Sequence, residues 1–203
     1  VRTAYFLAVI VIAQVAGQDR SAGLKAPFGP ANPLVSPDGA YALFGVQSIV
    51  NAENALWLED RRTHLRRLVF RATVQTLTLA WSPDSAAFFA NDRAVSDVEN
   101  AYIFDAKTLY RLDLAARITA SAGPEAMRFL KDRNDHSYFH AMRFIDARHV
   151  EVELYGHTVG SRTGDCFNLR YKVSRDGEVQ KLSERVASLS SKECEAIESP
   201  VQR

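Results

Sequence analysis

The tetrapeptide Ser36-Pro37-Asp38-Gly39 returns as Ser82-Pro83-Asp84-Ser85, 46 residues later. The same offset relates Asn54-Ala55-Leu56-Trp57 to Asn100-Ala101-Tyr102-Ile103. Two unlike features sharing one period define a repeated unit, which restricts the fold more than any single element does. In the tetrapeptide, proline presets φ at the second turn position, while serine suits the first and glycine the fourth, so each copy is expected to reverse tightly. Short apolar runs follow at 40–46 and 86–90, too short and too aromatic for helices. A third run leads to an acidic residue, 55–58 before Asp60 and 101–104 before Asp105, and a fourth spans 65–70 or 109–114. Four short antiparallel strands are the content of one propeller blade.

These residues resemble the TolB-like or WD40-like propeller repeat of secreted bacterial proteins. Its units carry a Ser-Pro-Asp-Gly turn, an apolar-aromatic third strand ending in Asp, and a Leu-X-X-Leu fourth strand. Here those features are Ser36, Pro37, Asp38 and Gly39, then 56–60, then Leu65-Arg66-Arg67-Leu68. The second copy keeps Ser82, Pro83 and Asp84, the stretch 102–105 and 109–112, but places Ser85 where the family has glycine. The resemblance covers residues 32–114. It implies an all-β, propeller-like fold; with the residues that follow, the expected chain is a partial β-propeller of about three four-stranded antiparallel blades with one short inserted helix. It also implies a secreted or periplasmic compartment; activity does not transfer with it, and the expected function is a binding module that recognises a protein or envelope ligand without catalysis. The family includes domains attached to enzymes, so a non-catalytic propeller fragment of an envelope peptidase or hydrolase stays open, as does a degenerate structural remnant.

Around the repeats the chain divides further. Residues 1–17 have a positive start, an apolar core of about ten residues and a small-residue end, the layout of a secretory signal peptide, with an uncleaved anchor as the alternative. Residues 18–31, with Pro27 and Pro30, read as a linker. The repeats are placed at 32–71 and 72–114, and a helical insert at 115–136, its amphipathic part at 125–132 after the Gly123-Pro124 stop. A degenerate third repeat is expected at 137–183. There the alternation of Val150-Glu151-Val152-Glu153-Leu154 suggests one wet face, and 144–146 echo the proline corner. Residues 184–203 read as a polar tail. Since three blades do not close a ring, a homo-dimer supplying six is one way to cover the open edges.

No strong polyanion affinity is expected from 25 basic against 24 acidic side chains, so nucleic acid is not a predicted partner. Cys166 and Cys194 are the only cysteines, and in an oxidising compartment they are expected to bridge; two separate thiols are the alternative. His136 and His140 are four apart within strand-like sequence, roughly 13 Å in extended chain and too far for one metal ion. The stretch 91–99 gathers three carboxylates without calcium-loop spacing and reads as a solvated loop. No Gly-X-Ser-X-Gly elbow, phosphate loop or dinucleotide fingerprint occurs, so no catalytic, cofactor or metal residue is assigned. Arg61, Arg62, Arg66 and Arg67 form a basic cluster with two readings: protection of an outer strand edge, or a patch for an acidic partner.

Overall fold

The computed structural model describes residues 32–47, 54–72, 76–95, 98–127, 136–158, 165–188 and 194. The expected signal peptide and linker lie outside these residues. The described chain is a partial β-propeller of three four-stranded antiparallel units. Unit 1 contains β1 (Leu34–Val35), β2 (Tyr41–Gln47), β3 (Asn54–Asp60) and β4 (Leu65–Ala72), paired in chain order. Unit 2 contains β5 (Thr76–Trp81), β6 (Ala87–Val95), β7 (Val98–Asp105) and the short β8 (Arg111–Asp113). Helix α1 (Leu114–Met127) then leads to unit 3, which comprises β9 (His136–Phe144), β10 (His149–His157), β11 (Asp165–Ser174) and β12 (Val179–Ser188).

Unit 2 is buried on both faces, and its residue alternation shows why. Phe88, Ala90 and Phe104 point into one core with Leu43, Leu56 and Leu58 of unit 1. Ala87, Phe89, Ala101 and Ile103 point into a second core with Val150, Val152, Leu154, Phe167 and Leu169 of unit 3. Period-two alternation in which both sets are apolar makes a sheet that needs a neighbour on each side. Stacked rings strengthen the first core, with Phe88 5.2 Å from Phe104 and Phe70 5.6 Å from Phe104 between centroids.

Several expectations are corrected. The helix begins at Leu114, eleven residues before the expected amphipathic stretch, because Asp113 caps it: its Oδ1 accepts from the Ala116 amide at 2.9 Å. Leu114 and Ile118, one turn apart, then seal the second core, and Gly123 at φ 59° breaks the helix before Pro124. Residues 129 and 130 of the expected helix lie outside the described residues. The fourth strand of unit 2 is only three residues long and one position out of the Leu-X-X-Leu register. Leu109 and His64 both occupy positive φ and donate their amides to the carbonyls of Asp105 and Asp60, so Leu109 matches His64 and not Leu65. The expected polar tail is still strand through Ser188, paired with β11. Finally, units 2 and 3 are not separate sheets: β9 runs parallel to the start of β7 at Val98↔Ser137 and Glu99↔Tyr138.

Candidate functional site

The turns gather at one end of the stacked units, and each is built by the same local chemistry. Ser36 Oγ donates to Asp38 Oδ1 at 2.7 Å and accepts from the Tyr41 amide; Ser82 Oγ does the same with Asp84 at 2.6 Å and the Ala87 amide. The next corner is closed by an aspartate. Asp60 Oδ1 accepts from the amides of Arg62 and Thr63, and Asp105 Oδ1 from those of Lys107 and Thr108. Asp146, between β9 and β10, stands where Asp38 and Asp84 stand: its Oδ1 accepts from the Arg148 amide as theirs do from Ala40 and Ala86, so 144–146 keep the first corner without its serine and proline. The Thr63 amide, with the Arg62 amide beside it, holds the Asp60 carboxyl below the usual range. For Asp105, burial pushes upward, but the Thr108 and Lys107 amides and the Arg175 charge outweigh it, and the pKa is lowered.

Arginines join one corner to the next. Arg67 of β4 donates to the carbonyls of Ala106 and Lys107 in unit 2, both at 2.6 Å. Arg117 of α1 donates through Nε and Nη2 to the Gly177 carbonyl in unit 3, at 3.2 and 3.0 Å. Only glycine fits there, since a Cβ at Gly177 would lie 2.5 Å from Arg117 Nε and φ is +87°. Arg175 reaches back from unit 3 to Asp84 Oδ2 at 3.2 Å and Asp105 Oδ2 at 3.4 Å. Ser85 joins units 1 and 2 directly, its Oγ accepting from the Asp38 amide at 2.9 Å.

The four arginines of the basic cluster are therefore not equivalent. Arg67 is committed to the seam. Arg66 pairs with Glu59 at 2.7 Å and lies over the Phe44 ring at 4.9 Å, the geometry of an edge guard. Arg61 bonds the Gly39 carbonyl at 3.1 Å, and Arg61, Arg62 and His64 are exposed. These three, with Asp38, Gly39, Ala40 and Glu59, line an open cleft of about 520 Å³. A second cleft, of about 430 Å³, lies between units 2 and 3 and is lined by Ile103, Asp105, Thr108, Tyr110, Leu112, Arg175 and Asp176.

At the opposite end the structure assembles residues that the sequence reading kept apart. Residues 91–95 and 98–99 are strand and not a solvated loop, with Asn91 and Glu99 buried. Asn91 pairs like a backbone with Ala141, accepting from its amide at 2.8 Å and donating to its carbonyl at 2.9 Å. His140 is drawn into this seam, its Nδ1 meeting Glu99 Oε1 at 2.7 Å. Tyr138 stacks on Tyr155 at 5.0 Å, and burial together with the Glu99 charge pushes the Tyr155 hydroxyl pKa upward. The expected wet face of β10 is covered as well: Glu153 is 0% exposed, bonded by Asn168 at 2.7 Å and Arg170 at 3.3 Å. The Asn91–Ala141 and Glu99–His140 contacts fasten unit 3 to unit 2, while those of Tyr138 and Glu153 lie within unit 3. Among the described residues, no group of three or more His, Cys, Asp or Glu is arranged to hold a metal. Cys166 and Cys194 are joined as a disulfide with Cα atoms 5.5 Å apart.

No family model matches the chain, and no curated protein matches it. Similar solved structures include the β-propeller domain of the Trilobed protease from Pyrococcus furiosus. It is 18% identical at a TM-score of 0.46, with 75% of this chain and 43% of that chain covered. TolB from Acinetobacter baumannii is 12% identical at a TM-score of 0.37, covering 79% and 44%. Pyrococcus horikoshii acylaminoacyl peptidase is 13% identical at 0.32, covering 74% and 31%. The chain thus spans less than half the length of these structures.

Proposed function

We propose that this chain is a secreted or periplasmic binding module that recognises an acidic protein or envelope ligand through the corner of unit 1, without catalysis. The observation that carries the reading is the division of labour among the arginines. Arg66 and Arg67 hold the fold, whereas Arg61 and Arg62 stand exposed beside His64 on an open cleft of about 520 Å³. Two guanidinium forks presented by one rigid turn suit a carboxylate or phosphate, which they meet with paired hydrogen bonds. The disulfide supports the compartment, since such bonds persist where the surroundings are oxidising. Among the described residues no helix is long and apolar enough to cross a membrane. A two-copy assembly, bringing six units together, accords with the need for at least four blades to close a ring.

Retention of polyglutamate on the immobilised chain tests the patch. Binding should fall as salt rises and be lost in the Arg61→Ala/Arg62→Ala double variant, while Arg66→Ala retains it. Equal retention by the double variant would sink the proposal.

A further inference from the structure

The second cleft is the place where the repeat leaves an arginine out. The corner amides set the correspondence between units. The Arg61 amide donates to the Ala40 carbonyl, the Ala106 amide to that of Ala86, and the Arg175 amide to that of Arg148, all at 2.8 to 2.9 Å. Arg175 and Asp176 of unit 3 therefore stand where Ala106 and Lys107 stand in unit 2. On the facing strand, His64 matches Leu109, so Arg67 of β4 matches Leu112 of β8. Between units 1 and 2 the seam is filled by the Arg67 guanidinium on the Ala106 and Lys107 carbonyls. Between units 2 and 3 Leu112 stops short, and the space it leaves is the cleft of about 430 Å³ against Arg175 and Asp176.

We propose that this cleft receives an arginine side chain from a peptide or protein partner, laid down as Arg67 is within the chain. The floor is apolar, from Ile103 and Leu112, and suits the alkyl stem. The rim carries the acceptors. Asp176 is exposed and pairs at the surface with the equally exposed Arg148, Asp105 pairs with Arg175, and Tyr110, 64% exposed, presents a ring on which a guanidinium can stack. Among the side chains that line the cleft, Asp105 and Asp176 stand against Arg175, an excess of one negative charge. Arginine is favoured over lysine because its planar fork can meet the Asp176 carboxylate while its face stacks on the Tyr110 ring. This site does not depend on the acidic-ligand reading of unit 1: the two clefts lie on different corners and select opposite charges.

The test is a titration of the full chain with N-acetyl-arginine amide, followed by amide NMR shifts, with the N-acetyl-citrulline analogue as the uncharged isostere. Saturable shifts should centre on Thr108, Tyr110, Leu112 and Asp176. Citrulline should bind at least about tenfold more weakly, and Asp176→Asn should weaken arginine by a similar factor. Leu112→Arg, which restores the repeat's own occupant, should abolish the shifts. Should that variant misfold, Tyr110→Ala and Asp176→Asn carry the test. The inference is overturned if arginine gives no saturable shift, if citrulline binds as well, or if the shifts centre on Asp38 and Glu59.

Discussion

Ser85 occupies φ 60°, a region that costs an L side chain about 1 kcal/mol or more, yet its hydroxyl accepts the Asp38 amide of the neighbouring unit. The departure from glycine thus exchanges backbone comfort for a bond between units. Ser85→Ala keeps the backbone cost and loses the bond, so it should lower unfolding stability by about 1 kcal/mol. Ser85→Gly loses the bond but relieves the backbone, so it should stay within about 0.5 kcal/mol of the parent; urea denaturation of the two variants separates the effects. Asp92 shows the opposite economy. One of its carboxylate oxygens is buried without a partner, and burial, with the Glu99 charge behind it, raises its pKa. With the folded pKa above the unfolded one, ionised Asp92 weakens the fold at neutral pH. That loss is recovered as pH falls through the folded pKa, fully so below about 4. Asp92→Asn should therefore add roughly 1 kcal/mol at pH 7 and nothing at pH 3, measured as the difference in urea midpoint between variant and parent. An equal gain at both pH values would rule out ionisation as its source.

Among the elements, β6 shows what the sequence displays and what it hides. Its apolar run at 87–90 is plain in the alternation, and so is the proline corner before it. Its continuation to Val95 is not, because Asn91 extends the strand by pairing with Ala141, fifty residues away. The same holds for His140, whose role depends on Glu99 from another unit. Turn chemistry is local and legible, whereas seam chemistry is long-range and shows only once the register of β9 is known. Similarly, 115–121 belongs to the expected helical insert but not to its amphipathic part, because the signal that starts the helix there is a single capping aspartate at the end of a strand. Asn91→Ala would strand the buried Ala141 amide and carbonyl, so a loss of about 2 to 3 kcal/mol is expected, at the upper end for unpaired buried groups. Hydrogen exchange locates it: protection should fall first along β9 and the facing part of β6, while β2 and β3 keep theirs. Uniform loss over all three units would show that Asn91 acts on the whole fold and not on this seam.

For the whole molecule the unresolved physical question is what meets the outer faces of units 1 and 3. Both outermost strands carry devices against edge pairing. The register of β4 against β3 slips by one residue between Leu56 and Trp57, and that of β12 against β11 slips between Arg170 and Tyr171, each bulge set among charged residues. Strand addition at these edges is thereby discouraged, and association, where it occurs, must use faces. On unit 1, Trp57 stands opposite Phe44 on β2 and Leu68 on β4, so these three share a face turned away from Leu56 and Leu58. Leu68 at 37% exposure marks its open part. Covering such a face with a second copy would remove apolar area worth about 25 cal/mol per Å², enough to offset association costs only if the contact is of standard size. The expected solution mass is then near twice the 22.6 kDa of one chain at micromolar concentration. Leu68→Asp, which places a charge in the contact while leaving both cores untouched, should return it to a single chain with unchanged circular dichroism. A parent protein that sediments as one chain at every concentration would remove the two-copy ring, and the faces of units 1 and 3 would then have to be met by something other than a second copy.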